Sequence, residues 1–154
     1  MKDIVCKLAT TSQELRAAYE IRKKIFVNEQ KLFSKSDRDT FDSKAIHIVA
    51  LLDNEVVGTV RIYEKDRGMW FGSRLAVLRP YRGRVGGLLV QKAIETVKEK
   101  GAKQFFAYVQ LPTVSFFKRL RWKPVGKPLN YKGKPHQLME AQLYLFTPEA
   151  QRPQ

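Results

Sequence analysis

The stretch that most constrains this chain runs from Met69 to Gly101, MWFGSRLAVLRPYRGRVGGLLVQKAIETVKEKG. It predicts a strand, a short arginine- and glycine-rich loop, and then a helix. Met69 to Leu78 is mostly apolar and reads as a strand buried on both faces. The loop, Arg79 to Gly87, gathers Arg79, Arg82 and Arg84 with Gly83, Gly86 and Gly87. Leu89, Val90, Ala93, Ile94 and Val97 then form one helical stripe, with Lys98 and Lys100 in the last turn and a stop at Gly101. A glycine-bearing loop that opens a helix is a ready anion site. Small residues admit the ligand, free N–H groups of the first turn point at it, and the helix dipole favours negative charge. Arginines nearby suit phosphate. There is no Gly-Lys-Ser/Thr of a P-loop and no G-x-G-x-x-G of a dinucleotide fold. The alternative is an ordinary strand-to-helix connection with solvated arginines.

With 154 residues and 44% hydrophobic content, the chain is expected to form one globular domain with a real core. No apolar run approaches the roughly 20 residues of a membrane span, and MKDIVCK does not read as a signal peptide. Cys6 is the only cysteine, so no internal disulfide can form, which fits a reducing cytoplasm. Cys6 falls in the apolar alternation of a first strand and reads as core or edge. The net charge of +14 suits a phosphorylated ligand or a nucleic acid. The basic residues are spread from Arg16 to Arg152 with no dedicated arm, so nucleic acid is the less favoured partner.

In chain order, Asp3 to Leu8 predicts a strand, and Thr11 with Glu14 a capping box. Leu15, Ala18, Tyr19 and Arg22 mark a helix face running toward Ile25 and Phe26. Asn28 to Ser43 is polar and irregular. Ile46 to Leu52 and Val56 to Glu64 predict a hairpin around Asp53-Asn54. After Gly101, Gln104 to Gln110 reads as a strand parallel to the central one through the helical crossover. Pro112 to Leu120 reads as a short helix. Two short strands, Lys123 to Val125 and Met139 to Phe146, flank a loop rich in proline, glycine and lysine. The order implies an α/β fold with a mixed, partly parallel sheet covered by helices. The histidines, Cys6 and the acids show no metal-ligand spacing.

The central stretch resembles the pyrophosphate loop of the GNAT acyltransferases, with the pattern L-A-V-x-P-x-Y-R-G-x-G-x-G. Here it stands as Leu75-Ala76-Val77-Leu78-Arg79-Pro80-Tyr81-Arg82-Gly83-Arg84-Val85-Gly86, followed by Gly87-Leu88-Leu89-Val90. It is one residue shorter, the middle glycine being absent between Arg84 and Val85. Arg22, Phe26, Val27, Glu29 and Gln30, then Asp37, Asp39, Asp42 and His47, resemble R-x3-F-V-x-E-Q, an acidic triplet and a histidine. Together with GSRLAVL and KPHQLMEAQL, they look most like the branch labelled nitrogen-starvation N-acetyltransferases. The resemblance covers Arg22 to Leu143. It implies a single-domain GNAT fold over residues 1–146, a flexible tail over 147–154, and a mixed central sheet flanked by helices.

The resemblance also implies acetyl-CoA as cosubstrate, no metal, and direct attack by the amine of a small-molecule or peptide acceptor. Arg82, Gly83, Arg84, Val85, Gly86 and Gly87 are expected to hold the pyrophosphate. Leu75, Ala76 and Val77 are expected to meet the pantetheine and the thioester carbonyl through their backbone. Gln110 replaces the asparagine of N-x2-A-x2-F-Y-x-K-L-G-F, and Arg121 replaces its glycine. Phe117 stands at the tyrosine that protonates the leaving thiolate, and phenylalanine has no proton to give. Glu29, His136 and Tyr108 are the candidate catalytic residues. Asp37, Asp39 and Asp42 read as caps and loop hydrogen-bond acceptors in preference to amine-binding groups. A sheet edge left by the last strands suggests a homodimer.

Two other readings carry their own signals. Acyl-homoserine-lactone synthases share R-x3-F, the D-x2-D spacing and an arginine like Arg61. Their W-E-x-S-R-F meets Trp70-Phe71-Gly72-Ser73-Arg74-Leu75 here, without the glutamate. A non-catalytic acyl-CoA sensor or basic binding module on the same scaffold is the other.

Overall fold

The computed structural model describes residues 3–144. The expected tail, 147–154, and the end of the last expected strand at Leu145 and Phe146 lie outside the described residues. The elements are β1 (Ile4–Leu8), α1 (Ser12–Arg22), β2 (Ile46–Leu52), β3 (Glu55–Asp66), β4 (Met69–Val77), α2 (Arg84–Glu99), β5 (Gln104–Gln110), α3 (Val114–Arg119), β6 (Trp122–Tyr131) and β7 (Lys134–Ala141). They build a seven-stranded mixed sheet of order β1-β2-β3-β4-β5-β7-β6. β4 and β5 pair in parallel, as a helical crossover requires. No helix among the described residues is long and apolar enough to cross a membrane.

The described residues divide into two compact units, 3–63 with 73–93, and 64–72 with 94–144. In the first, the capping box forms: the Thr11 side chain accepts from the Glu14 N–H, and Glu14 reaches back to the Thr11 N–H. The helix then widens into a π-helical turn, Lys23–Glu29, closed by the Gln30 N–H on the Ile25 carbonyl at 2.8 Å. Ile21, Ile25 and Phe26 bury against Ala76, with Phe33, Val56 and Leu78 packed around them. Asp53 and Asn54 both take positive φ, the backbone a two-residue hairpin of right-handed twist demands.

In the second unit Phe105 packs on Trp122, which also meets the edge of Phe117. Gly101, at φ +77, ends the α2 segment where the sequence predicts. Four expectations need correction. β4 is not buried on both faces: Trp70, Gly72, Ala76 and Val77 are buried, whereas Met69, Phe71, Ser73, Arg74 and Leu75 are half-buried. Helix α2 starts at Arg84, so Gly86 and Gly87 lie in its first turn, and it ends at Glu99, before Lys100. The short helix starts two residues late, because Leu111–Thr113 forms a 3-10 turn first. The loop expected between the last strands is itself strand. β6 runs to Tyr131 and β7 starts at Lys134, joined at Lys132 and Gly133, both at positive φ. Pro124 and Pro128 hid β6 from sequence reading; as an edge strand it tolerates missing donors.

Gly58 of β3 forms the seat for the first turns of α2. A Cβ there would meet Leu89 Cδ1 at 3.0 Å, Val85 Cγ1 at 3.1 Å and the Ala76 carbonyl at 3.3 Å. Gly58→Ala is therefore expected to destabilise the fold by about 1–3 kcal/mol through overpacking. Urea unfolding, with the midpoint lowered at unchanged slope, is the check.

Candidate acyl-CoA site

The anion loop takes shape where β4 ends. Leu78 donates its N–H to the Val57 carbonyl at 2.9 Å, fixing the strand exit, and Arg79–Tyr81 makes one 3-10 turn. Gly83 then adopts φ +94, a conformation glycine takes without steric cost. The first helical bond of α2 is from the Gly87 N–H to the Gly83 carbonyl at 3.0 Å. The amides of Arg84, Val85 and Gly86 thus fall in the opening turn, ahead of any i→i−4 partner. A Cβ at Gly83 or Gly87 would meet nothing within 4 Å, so the backbone is open to approach. An open depression beside it is lined by Ile4, Leu52, Pro80, Tyr81, Arg82, Arg84 and Val85. Free amides, a positive helix end and arginines are the donor set a pyrophosphate requires. Leu75, Ala76 and Val77 close β4, with Ala76 and Val77 buried and Leu75 half-buried. The β4–β5 register covers Met69–Phe71 only and ends short of them.

Arg82 is held at two points. Its Nε donates to the Val77 carbonyl at 3.0 Å, and its Nη2 donates to Glu29 Oε2 at 2.7 Å. Arg79 Nη2 lies 3.9 Å from the same carboxylate oxygen. The Arg82 hydrogen bond, against a smaller opposing effect of burial, holds the Glu29 carboxyl below its ordinary range. The structure thus joins Glu29 to the loop and gives its carboxylate a cationic partner.

The three aspartates do more than cap a loop. Arg22, 1% exposed, donates from Nε to Asp37 Oδ2 at 2.7 Å and from both Nη atoms to Asp42 at 2.8 and 3.0 Å. Arg61, equally buried, forks onto Asp39 at 2.6 and 2.8 Å and reaches Asp42 Oδ1 at 3.0 Å. Arg74 donates to the Asp37 carbonyl at 2.9 Å and to Asp39 Oδ2 at 3.3 Å. Local bonds accompany these: the Phe41 N–H donates to Asp39 and the Asp39 N–H to Asp42. Arg74 is the member that sequence reading missed. Its φ of +57 lies in the left-handed region, and while W-E-x-S-R-F and GSRLAVL place an arginine at this position, neither signals that backbone or its acidic partners. Burial is the largest single effect and raises the Asp42 carboxyl, yet the Arg22 hydrogen bonds and charge, the Asp39 N–H and Arg61 together outweigh it and hold the group well below the usual carboxylate range. Asp39 is likewise held low: burial, its largest single effect, raises it, and Arg61, Arg74 and the Phe41 N–H together outweigh burial. His47 donates Nε2–H to the Asp42 carbonyl at 3.0 Å, and burial lowers its proton affinity.

The second unit carries Tyr108, Gln110, Phe117 and His136. Tyr108 is 49% exposed and stacks on Phe71 with centroids 6.3 Å apart. Gln110 and His136 are directly paired across β5 and β7. His136 is buried, and its Nδ1 lies 2.9 Å from the Lys134 carbonyl. A carbonyl only accepts, so Nδ1 bears the proton and the Nε2 lone pair is available. Phe117 is 6% exposed and belongs to the aromatic core. Arg121 adopts φ +68, the left-handed backbone that glycine takes most readily. Among the described residues no group of three or more His, Cys, Asp or Glu could hold a metal ion.

The fold and the loop define an acyltransferase class, and comparison with known proteins agrees. The acetyltransferase (GNAT) family model matches residues 12–121, and the chain belongs to that family. The protein of Bacillus subtilis (strain 168) named "Putative acetyltransferase BSU40680" is 32% identical over 140 residues, spanning 88% of this chain and 95% of its own. Escherichia coli ElaA superposes with a TM-score of 0.79 at 24% identity, over 92% of this chain and 100% of that one. The CoA-dependent acyl-homoserine lactone synthase BjaI shares the fold at a TM-score of 0.74 and 20% identity, over 91% and 82% of the two chains.

The network predicts an acid-labile fold. Asp39 and Asp42 have folded pKa values below their unfolded ones. Their contribution is complete above about pH 4 and is lost as pH falls through the folded values. His47, buried neutral, adds a loss that begins as pH drops below about 6.5. Asp42→Asn removes the carboxylate that Arg22 and Arg61 share, leaves the buried cluster with one positive charge in excess, and is expected to cost about 3–5 kcal/mol at neutral pH. Its stability should also vary less with pH than the wild type's below pH 4, as urea unfolding across pH would register.

Proposed function

We propose that this chain transfers an acetyl group from acetyl-CoA to an amine, by direct attack in a ternary complex, as a cytoplasmic enzyme of the nitrogen-starvation branch. The observation that carries the reading is the anion cradle of Gly83 to Gly87, in a family that uses acyl-CoA. When bound, acetyl-CoA supplies an activated thioester. The amides of Arg84, Val85 and Gly86 hold its pyrophosphate, with Arg82, Gly83 and Gly87 shaping the cradle. The backbone of Leu75, Ala76 and Val77 orients the pantetheine arm and polarises the carbonyl.

His136 takes the acceptor's proton at Nε2, because its Nδ1–H is committed to Lys134. The Tyr108 hydroxyl gives a proton to the departing thiolate, a task Phe117 lacks the atoms to perform. Its half-exposed position leaves the phenol free to do so. A second reading, an acyltransferase like the homoserine-lactone synthases, draws on Arg22, Phe26, Asp39, Asp42 and Arg61, which match that pattern. Phe71 stands where the pattern has glutamate and argues against it.

Acetyl-CoA at about 100 times its Kd is expected to stabilise the fold by about 2.7 kcal/mol, read as a rise in Tm. No rise with acetyl-CoA but one with S-adenosylmethionine would move the assignment to the lactone synthases, and CoA binding without turnover on any amine would make the chain a sensor. Once an acceptor is found by thiol release, His136→Gln should lower kcat by about 10²–10⁴-fold while leaving CoA affinity unchanged. An unchanged kcat would remove His136 from the mechanism.

A further inference from the structure

Glu29 occupies the last position of the π-helical turn. Its backbone is fixed from below: Ile25 and Phe26 are core, and the N–H groups of Leu32 and Phe33 both close on the Phe26 carbonyl, at 2.9 and 3.3 Å. The carboxylate is thus delivered to the loop by a rigid element. Arg82 is fixed from its own side by the Val77 carbonyl, at the end of β4. An arginine has five N–H donors, and these two contacts occupy one on Nε and one on Nη2. Nη1 and the second Nη2 proton point elsewhere, on a side chain that is 42% exposed. The guanidinium is therefore oriented and still able to donate.

We propose that Glu29 is a positioning residue: it holds Arg82 so that the unused edge of the guanidinium meets a phosphate oxygen of CoA. This rests on the acyl-CoA reading above, and it replaces proton abstraction as the work of Glu29. Three features favour it. The carboxylate is already engaged by a cation that favours its ionised form, which weakens it as a proton acceptor. Glu29 also lies near Arg79, so it offsets the repulsion between two loop arginines as they converge on one ligand. Finally, because Nε is locked on Val77, an incoming phosphate has no need to displace Glu29. It adds to the pair, and the carboxylate raises the order of the site before binding.

The test is a double-mutant cycle of Glu29→Gln and Arg82→Ala, read as Kd for CoA by calorimetry and as kcat at saturating acetyl-CoA. Glu29→Gln should weaken CoA binding by about threefold to tenfold, the scale of a half-exposed, charge-assisted pair. In the Arg82→Ala background the same change should matter by less than about twofold, since the partner is gone. The kcat of Glu29→Gln and its pH profile should match the wild type's, and melting temperatures confirm that each variant folds. A fall in kcat of about 10²-fold with unchanged CoA affinity would make Glu29 a base and overturn the inference. Tighter CoA binding by Glu29→Gln would make it a competitor of the phosphate, with the same consequence. If the wild type binds CoA and the cycle shows no coupling, positioning fails alone. If the wild type binds no CoA, the acyl-CoA reading fails first, and positioning with it.

Discussion

The arginine–aspartate network is the interaction on which the first unit depends. Three guanidinium groups and three carboxylates meet in one hydrogen-bonded cluster of zero net charge, most of it out of water. The segment between the π-helical turn and β2 has few apolar residues to bury, so hydrophobic packing alone gives it little reason to hold one shape. Ion pairing does so instead. Each acid is gripped by an arginine from a different element: Arg22 from the end of α1, Arg61 from β3, Arg74 from β4. Such a cluster adds little stability relative to a well-packed apolar one, yet removing a single member leaves one buried charge in excess. The fold is therefore specified by the set as a whole.

The left-handed backbone of Arg74 in β4 follows from the same cluster. A non-glycine residue at positive φ costs about 1–3 kcal/mol and persists where its surroundings over-determine it. Arg74 meets that condition: two bonds to the Asp37 carbonyl, ion pairs to Asp37 and Asp39, and its guanidinium 4.7 Å from the Phe33 ring centroid. The strain is located just ahead of Leu75 to Val77, whose backbone the proposed function enlists. The charge ledger explains a further point. Because the cluster is neutral, it does nothing to offset the chain's +14, and the surplus remains on the surface and the anion loop. A basic chain of this kind raises the local concentration of a polyanionic cosubstrate without needing a dedicated basic arm.

Legibility from sequence tracked how local each signal is. The capping box at Thr11 and Glu14, the Asp53-Asn54 turn and the stop at Gly101 are decided by a few adjacent residues, and each stands where expected. The stripe of α2 was readable for the same reason. What escaped was set by partners distant in sequence. The burial of Asp37 and Asp42 depends on Arg22, Arg61 and Arg74, up to 37 residues away, and only the motif resemblance hinted that they meet. The length of β6 depends on being an edge strand, which no window of its own sequence reveals. Glu29 was singled out, but the partner that defines its chemistry lies 53 residues on.

The start of α2 shows how such distant terms act together. The helix begins at Arg84, with its first bond anchored on the Gly83 carbonyl. Val85 then sits in the first turn and must be buried or exposed as a whole; it is buried, at 1% exposure. What makes room for it is the missing side chain of Gly58, whose Cβ position lies 3.1 Å from Val85 Cγ1. The bare Cα of Gly58 and the buried side chain of Val85 are thus two halves of a single packing solution. Apolar burial pins the start of α2, and the amides of Arg84 to Gly86 are presented from a fixed helix end.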